Sequence, residues 1–344
     1  MKHINVALFA PHAGCPHACS FCDQRVISGA PHPLTPDDVH RAARSALASL
    51  PPAAAAAGEI AFFGGSFTLL PRPALCALLE AAQPYLGEGG FRGVRISTRP
   101  DGITPEICAL LKSFGVTAVE LGAQSLDDRV LAMNARGHTA AQVRDACALL
   151  RAHGFELGLQ MMTGLYGSTD ADSLATAQGF LALRPDTVRI YPTVVLAGTK
   201  LADLADAGIF HPQPLEEAVA LCAILVPLFE ENGVRVIRVG LHAGRDIEAR
   251  LRGGAYHPAL RELVENRIFL TRAQDLLARE PKGVYRLTVA PDARSKMIGQ
   301  KRCNLAALTA QGYVCSVAAQ EGLAPREIRI ARLNTELETA NSLP

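Results

Sequence analysis

The sequence predicts an α/β protein: a partial (β/α) barrel followed by a small α/β C-terminal domain. Three observations carry that expectation. Short β-rich runs alternate with helix-length amphipathic stretches from Ile4 to about His242. The β-rich runs are nearly continuous in apolar residues, as in parallel strands covered by helices. Polar or glycine-rich motifs recur just after them, at the strand ends where such barrels gather their chemistry.

In chain order the expected strands are 4–10, 59–63, 94–98, 118–121, 156–161, 187–191 and 235–241. Between them lie helical stretches at 37–50, 73–85, 105–114, 139–153, 170–183 and 215–232. Thr35 before Pro36 and Thr104 before Pro105 read as helix starts, with threonine capping and proline tolerated in the first turn. Residues 51–58, rich in alanine, read as a loose helix end or loop. Past His242 the pattern changes to a helix over 255–280, a strand over 284–290, a helix over 298–311 and a strand over 328–331. The expected division is therefore 1–244 and 245–344.

The chain has 344 residues, 49% of them hydrophobic, enough for a sizeable core. Its 34 basic and 33 acidic side chains argue against a protein that coats nucleic acid non-specifically. The balance is uneven, with residues 1–244 at net −4 and residues 245–344 at net +5. Lys282, Arg286, Arg294, Lys296, Lys301 and Arg302 lie close together with Asp292 the one acid among them. They read either as a solvated face or as a landing patch for an anionic substrate or RNA. The longest apolar run, 218–229, is shorter than the roughly 20 residues of a membrane span and contains Pro227, so no membrane partner is expected. Residues 4–10 read as a first strand rather than an export signal, with Lys2 the one basic residue before them. That leaves a cytoplasmic protein whose nine cysteines are buried, catalytic or metal-bound.

Cys76, Cys108, Cys147 and Cys222 stand singly in apolar stretches and read as core residues. Cys15, Cys19 and Cys22 differ, because C-x3-C-x2-C is a spacing that scattered cysteines seldom produce. Structural zinc commonly takes two separated pairs, and a redox pair leaves Cys15 unused. Three thiolates on one tight loop suit a [4Fe–4S] cluster with one iron left open. An open iron can take the amino and carboxylate groups of S-adenosylmethionine. Reduction would then split the sulfonium and yield a 5′-deoxyadenosyl radical, which abstracts hydrogen from substrate.

This spacing, with Phe21 before the last cysteine, resembles the radical S-adenosylmethionine superfamily. The likeness runs through about 240 residues and is strongest to the radical domain of the Elongator catalytic subunit, a tRNA wobble-uridine enzyme. It rests on FFGGSF at 62–67, STRPD at 97–101, ELGAQS at 120–125, RGHT at 136–139, QMMTGLYG at 160–167 and RIYPTVVLAGT at 189–199.

The resemblance implies a cofactor-binding set. Gly64, Gly65 and Ser66 would approach the methionine amino group, and Ser97 and Arg99 would face the cosubstrate unless Arg99 simply pairs with Asp101. Gln124 would contact the ribose, and Arg136, followed by His138, would take the carboxylate through its fork. Gln160 stands where the porphyrin-precursor oxidase of the same superfamily carries an acidic ribose ligand. Tyr191 would face cosubstrate or substrate, or be a packed tyrosine. Glu120 points into a barrel otherwise expected to be apolar and must be paired there. His242, Tyr256, His257, Arg261, Glu262 and Arg267 would border the substrate mouth or form an ordinary polar network.

The implied activity is a radical enzyme acting on an RNA nucleoside, tRNA included, with flavodoxin or ferredoxin as electron donor. A small-molecule substrate such as a porphyrin precursor or sugar, and a non-catalytic iron–sulfur sensor or partner subunit, are the alternatives. A cysteine-ligated zinc protein is a third. With about 100 residues after His242 and no convincing pyrophosphate-binding turn around Gly299, no acetyl-CoA chemistry is expected.

Overall fold

Seven parallel strands form the main sheet of this computed structural model, which describes residues 4–16, 18–29 and 32–333. Residues 1–3, 17, 30–31 and 334–344, including Lys2 and the end of the expected C-terminal domain, lie outside the described residues. The strands are β1 (Asn5–Phe9), β2 (Glu59–Phe63), β3 (Gly93–Thr98), β4 (Val116–Gln124), β5 (Glu156–Thr163), β6 (Thr187–Pro192) and, after the short β7 (Val194–Leu196), β8 (Arg235–Val239). Their order is β1-β2-β3-β4-β5-β6-β8, sequential across the sheet, and the sheet curls into a half-barrel. The rings of Phe9, at the end of β1, and His242, in the turn after β8, lie 6.5 Å apart.

The helices start where the sequence places their caps. Thr35 accepts a hydrogen bond from the Asp38 amide at the head of Pro36–Ser49, and Thr104 does so from Ile107 at the head of Pro105–Ser113. Thr139 and Thr169 close capping boxes with Gln142 and Asp172. Helical faces cover the outside of the sheet, where Ile60, Phe62, Val94, Ile96, Val119 and Leu121 are buried. The 51–58 segment contains one short helix, Pro52–Ala56. Helix Leu215–Glu231 holds Pro227, and no helix among the described residues is long and apolar enough to cross a membrane.

The inner face of the half-barrel is not apolar. Glu59, Arg95 and Glu120 are all but fully buried there. Arg95 Nε donates to Glu59 at 2.7 Å, its NH2 to Glu156 at 2.8 Å and its NH1 to Glu120 at 3.4 Å. The expectation of an apolar interior around Glu120 is thereby corrected. Its partners Arg95, Gln160 and Arg189 come from β3, β5 and β6, so the ionic interior is assembled from residues far apart in the chain.

The chain divides into two compact units, 1–218 with 225–258 and 219–224 with 259–344. In the first, β7 pairs antiparallel with β9 (Leu251–Gly254). In the second, β10 (Gly283–Val289) pairs parallel with β11 (Tyr313–Ala319) and antiparallel with β12 (Arg329–Arg332). Helices Leu260–Leu277 and Cys303–Ala310 contribute Phe269, Ala273, Leu277 and Leu308 to its core with Tyr285, Leu287 and Val289. β11 is, with β7 and β9, a strand the sequence reading missed, and its exposed Val314 breaks the expected alternation.

Candidate functional site

Period-two alternation along the strands builds the site. Ala7 and Phe9, Ser97 and Arg99, Gly122 and Gln124, Gln160 and Met162, and Arg189 and Tyr191 all face one cavity of about 460 Å³ at the C-terminal ends of the strands. All thirteen residues singled out from sequence line it: Cys15, Cys19, Phe21, Cys22, Gly64, Gly65, Ser66, Ser97, Arg99, Gln124, Arg136, Gln160 and Tyr191.

The cysteine loop and the turn after β2 interlock. Ser66 N donates to Ala13 O at 2.7 Å, and Gln24 Oε1 accepts from both His12 N and Gly65 N. Gly65 has φ +62°, and a Cβ there would overlap the Ala13 carbonyl, so glycine is required for loop-to-loop contact. The sequence offered close approach to a ligand or a plain strand-to-helix turn, and the contact with the cysteine loop is a third reason for glycine. Asp23 then caps helix Gln24–Ser28, which ends the cysteine loop.

Burial pushes the Cys15 thiol up, against a contact with Ser66 Oγ at 3.7 Å. Burial and the neighbouring Cys19 and Cys15 push Cys22 up to about 12. Cys15 and Cys22 are therefore protonated near neutrality, and metal loading must release those protons. Arg136 stands over them, with NH1 donating to Cys19 Sγ at 2.9 Å, NH2 to Gly122 O, and the guanidinium 5.9 Å from the Phe21 ring. All three cysteines line that one cavity, and among the described residues no three His, Cys, Asp or Glu side chains group closely enough to hold a single ion.

Three buried polar atoms in the wall, Ser97 Oγ, Gln124 Oε1 and Arg136 Nε, have no partner among the described residues. Buried groups are ordinarily paired, so unpaired ones on residues that line a cavity fit a polar ligand. Gln124 also takes φ +68°, an unfavourable conformation for a side-chain-bearing residue, at the end of β4.

The remaining residues are more committed. Arg99 clasps Asp101 at 2.9 and 3.0 Å, the pairing the sequence had left open. Gln160 donates to Glu120 at 3.2 Å, and Arg189 binds the same carboxylate at 2.6 and 2.8 Å. His138 lies behind the wall, donating to Ala123 O at 3.2 Å, and burial with the Arg136 charge drives it down to about 4. Of the six residues after β8 considered for the mouth, His242 lines the cavity, whereas Arg261 pairs with Glu265 in the second unit. Sequence reasoning missed Phe9, Phe63, Met162, Arg189 and Arg238 in the lining. Counting in twos back from Tyr191 would have found Arg189.

Residues 10–178 match the radical SAM superfamily, and residues 185–269 match the radical SAM C-terminal domain. A tRNA uridine(34) acetyltransferase of Dehalococcoides mccartyi is 35% identical over 153 residues, covering 43% of this chain and 32% of that protein. Human Elongator complex protein 3 is 34% identical over 191 residues, 54% of this chain and 32% of that protein. The chain thus spans about a third of the length of these curated relatives. In fold it is similar to the archaeal Methanocaldococcus infernus Elp3 with an N-terminal deletion, at TM-score 0.61 and 21% identity, covering 81% of this chain and 64% of that one.

Proposed function

The chain belongs to the radical SAM superfamily and is a radical S-adenosylmethionine enzyme with a [4Fe–4S] cluster, and on that premise we propose that it abstracts hydrogen from an RNA nucleoside. The observation that carries the cofactor part of this reading is one cavity lined by the three cysteines and by three residues whose buried polar atoms have no partner among the described residues. The chemistry that the bound pair supplies is one-electron cleavage of a sulfonium and a carbon radical able to attack unactivated C–H bonds.

The chain's residues hold and orient. Cys15, Cys19 and Cys22 would take the cluster, and Arg136, already on Cys19 Sγ, would offset thiolate charge there and take the methionine carboxylate. Ser66, the Gly64–Gly65 backbone, Ser97 and Arg99 would border the amino group, and all of them line the cavity. Gln124 and Gln160 would accept from ribose hydroxyls, and Tyr191 would close the substrate side. The RNA substrate rests on the names of the relatives, and a flavodoxin- or ferredoxin-type protein is the proposed donor.

Anaerobically loaded protein given dithionite and S-adenosylmethionine should release 5′-deoxyadenosine, and Cys19→Ser should cut that release at least a hundredfold. Cosubstrate bound without cleavage would instead identify a non-catalytic cluster protein. Incubation with deuterated tRNA should carry label into 5′-deoxyadenosine, with RNA binding that weakens steeply as salt rises. Label arriving only from small metabolites would move the substrate to that class.

A further inference from the structure

Four arginines line the cavity, Arg99, Arg136, Arg189 and Arg238, and among the described residues no carboxylate does. Three are engaged. Arg99 holds Asp101, Arg189 holds Glu120, and Arg136 holds Gly122 O and Cys19. Arg238, on β8, has no carboxylate partner among the described residues. Its Nε donates to Gly240 O at 3.0 Å, and Gly240 N donates to Ile190 O at 2.8 Å, so the carbonyl that orients the guanidinium is itself tied to β6.

The surroundings sharpen that charge. Phe9, Leu241 and His242 share the lining at this end, and the Phe9 and His242 rings lie 6.5 Å apart. Burial, then the Arg238 charge, hold the His242 ring below its ordinary value, and the Ile27 backbone engages it. No other titratable side chain of β6, β8 or the 240–244 turn offers Arg238 a negative charge, since Tyr191 and Arg189 face each other. A fixed, partly buried guanidinium without a counter-ion lowers the cost of bringing in an anion and discriminates against a neutral ligand.

We propose that Arg238, with His242 beside it, is an anion subsite at the β8 end of the cavity that takes a phosphate group of the substrate nucleotide. The phosphate, rather than another anion, rests on the RNA reading above. Two of the guanidinium's nitrogens remain for a forked contact, a geometry that lysine cannot reproduce.

The test is equilibrium binding to the cluster-loaded protein, comparing uridine 5′-monophosphate, uridine and tricarballylate on wild type, Arg238→Gln and Arg238→Lys. The nucleotide should bind about ten- to thirtyfold more tightly than the nucleoside. Arg238→Gln should abolish that preference, and Arg238→Lys should keep part of it. Equal binding of nucleotide and nucleoside, a preference that survives Arg238→Gln, or no anion binding at all overturns the subsite. Arg238-dependent binding of tricarballylate without nucleotide binding overturns the phosphate assignment and the RNA reading together, leaving a carboxylate site. Loss of the subsite with RNA still bound leaves the RNA reading intact.

Discussion

Glu120 receives donors from three strands while being 1% exposed: Arg95 from β3, Gln160 from β5 and Arg189 from β6. Removing a buried carboxylate strands its cations, so Glu120→Ala should cost about 3–5 kcal/mol in denaturant unfolding of the apo protein. Gln160→Glu should also destabilise, because the new carboxylate would face Glu120 across the contact that the amide now makes at 3.2 Å. If both variants unfold like wild type, the network is not what fixes Gln160 and Arg189 in the cavity wall. The same contact has a functional side. With its amide nitrogen spent on Glu120, Gln160 has its carbonyl oxygen left as an acceptor.

Among the elements, the cysteine loop and the turn after β2 are tied to each other by Ser66 N on Ala13 O and by Gln24 on Gly65 N. Gly65→Ala adds a Cβ both at positive φ and against the Ala13 carbonyl. It should lower the melting temperature and reduce iron incorporation on reconstitution, read from visible absorption. Thr139→Ala gives the comparison. It removes one half of a capping box at the head of Ala140–Ala152, should cost about 1 kcal/mol and should leave iron content unchanged. Equal iron loading in both variants would show that the loops assemble without their glycine contact.

For the barrel as a whole, one ring of charge joins strands far apart in sequence. Glu156 at the start of β5 binds Arg95 of β3, Arg92 just before it and Arg235 of β8. Burial alone would raise its carboxyl, but hydrogen bonds and charge from Arg95 and Arg92 outweigh that and hold it at about 2. A folded value below the ordinary carboxylate range means that this stabilisation is complete above about pH 4.5 and fades as pH falls toward 2. Thermal unfolding between those limits should steepen with acid in wild type, and Glu156→Gln should flatten that slope. An unchanged slope in the variant would assign the acid sensitivity to other carboxylates, with Glu59, also held low by Arg95 against its burial, the next to test.

The sequence by itself determined the strand–helix alternation, the threonine caps and the three-thiol loop, because these are local matters of period, propensity and spacing; the other residues now found around the cavity were legible through motifs that resemble a known family. It could not determine that Arg99 spends its fork on Asp101, that Gly65 serves a loop contact, or that the interior is ionic rather than apolar. Those outcomes depend on which residues the curled sheet sets face to face. Glu59, Arg95, Glu120, Glu156 and Arg189 lie up to 130 positions apart and meet only when the five strands β2 to β6 share one concave surface. Arg238 is the same case: a charge of no note along the chain, whose meaning comes from the absence of a carboxylate across the cavity it faces among the described residues.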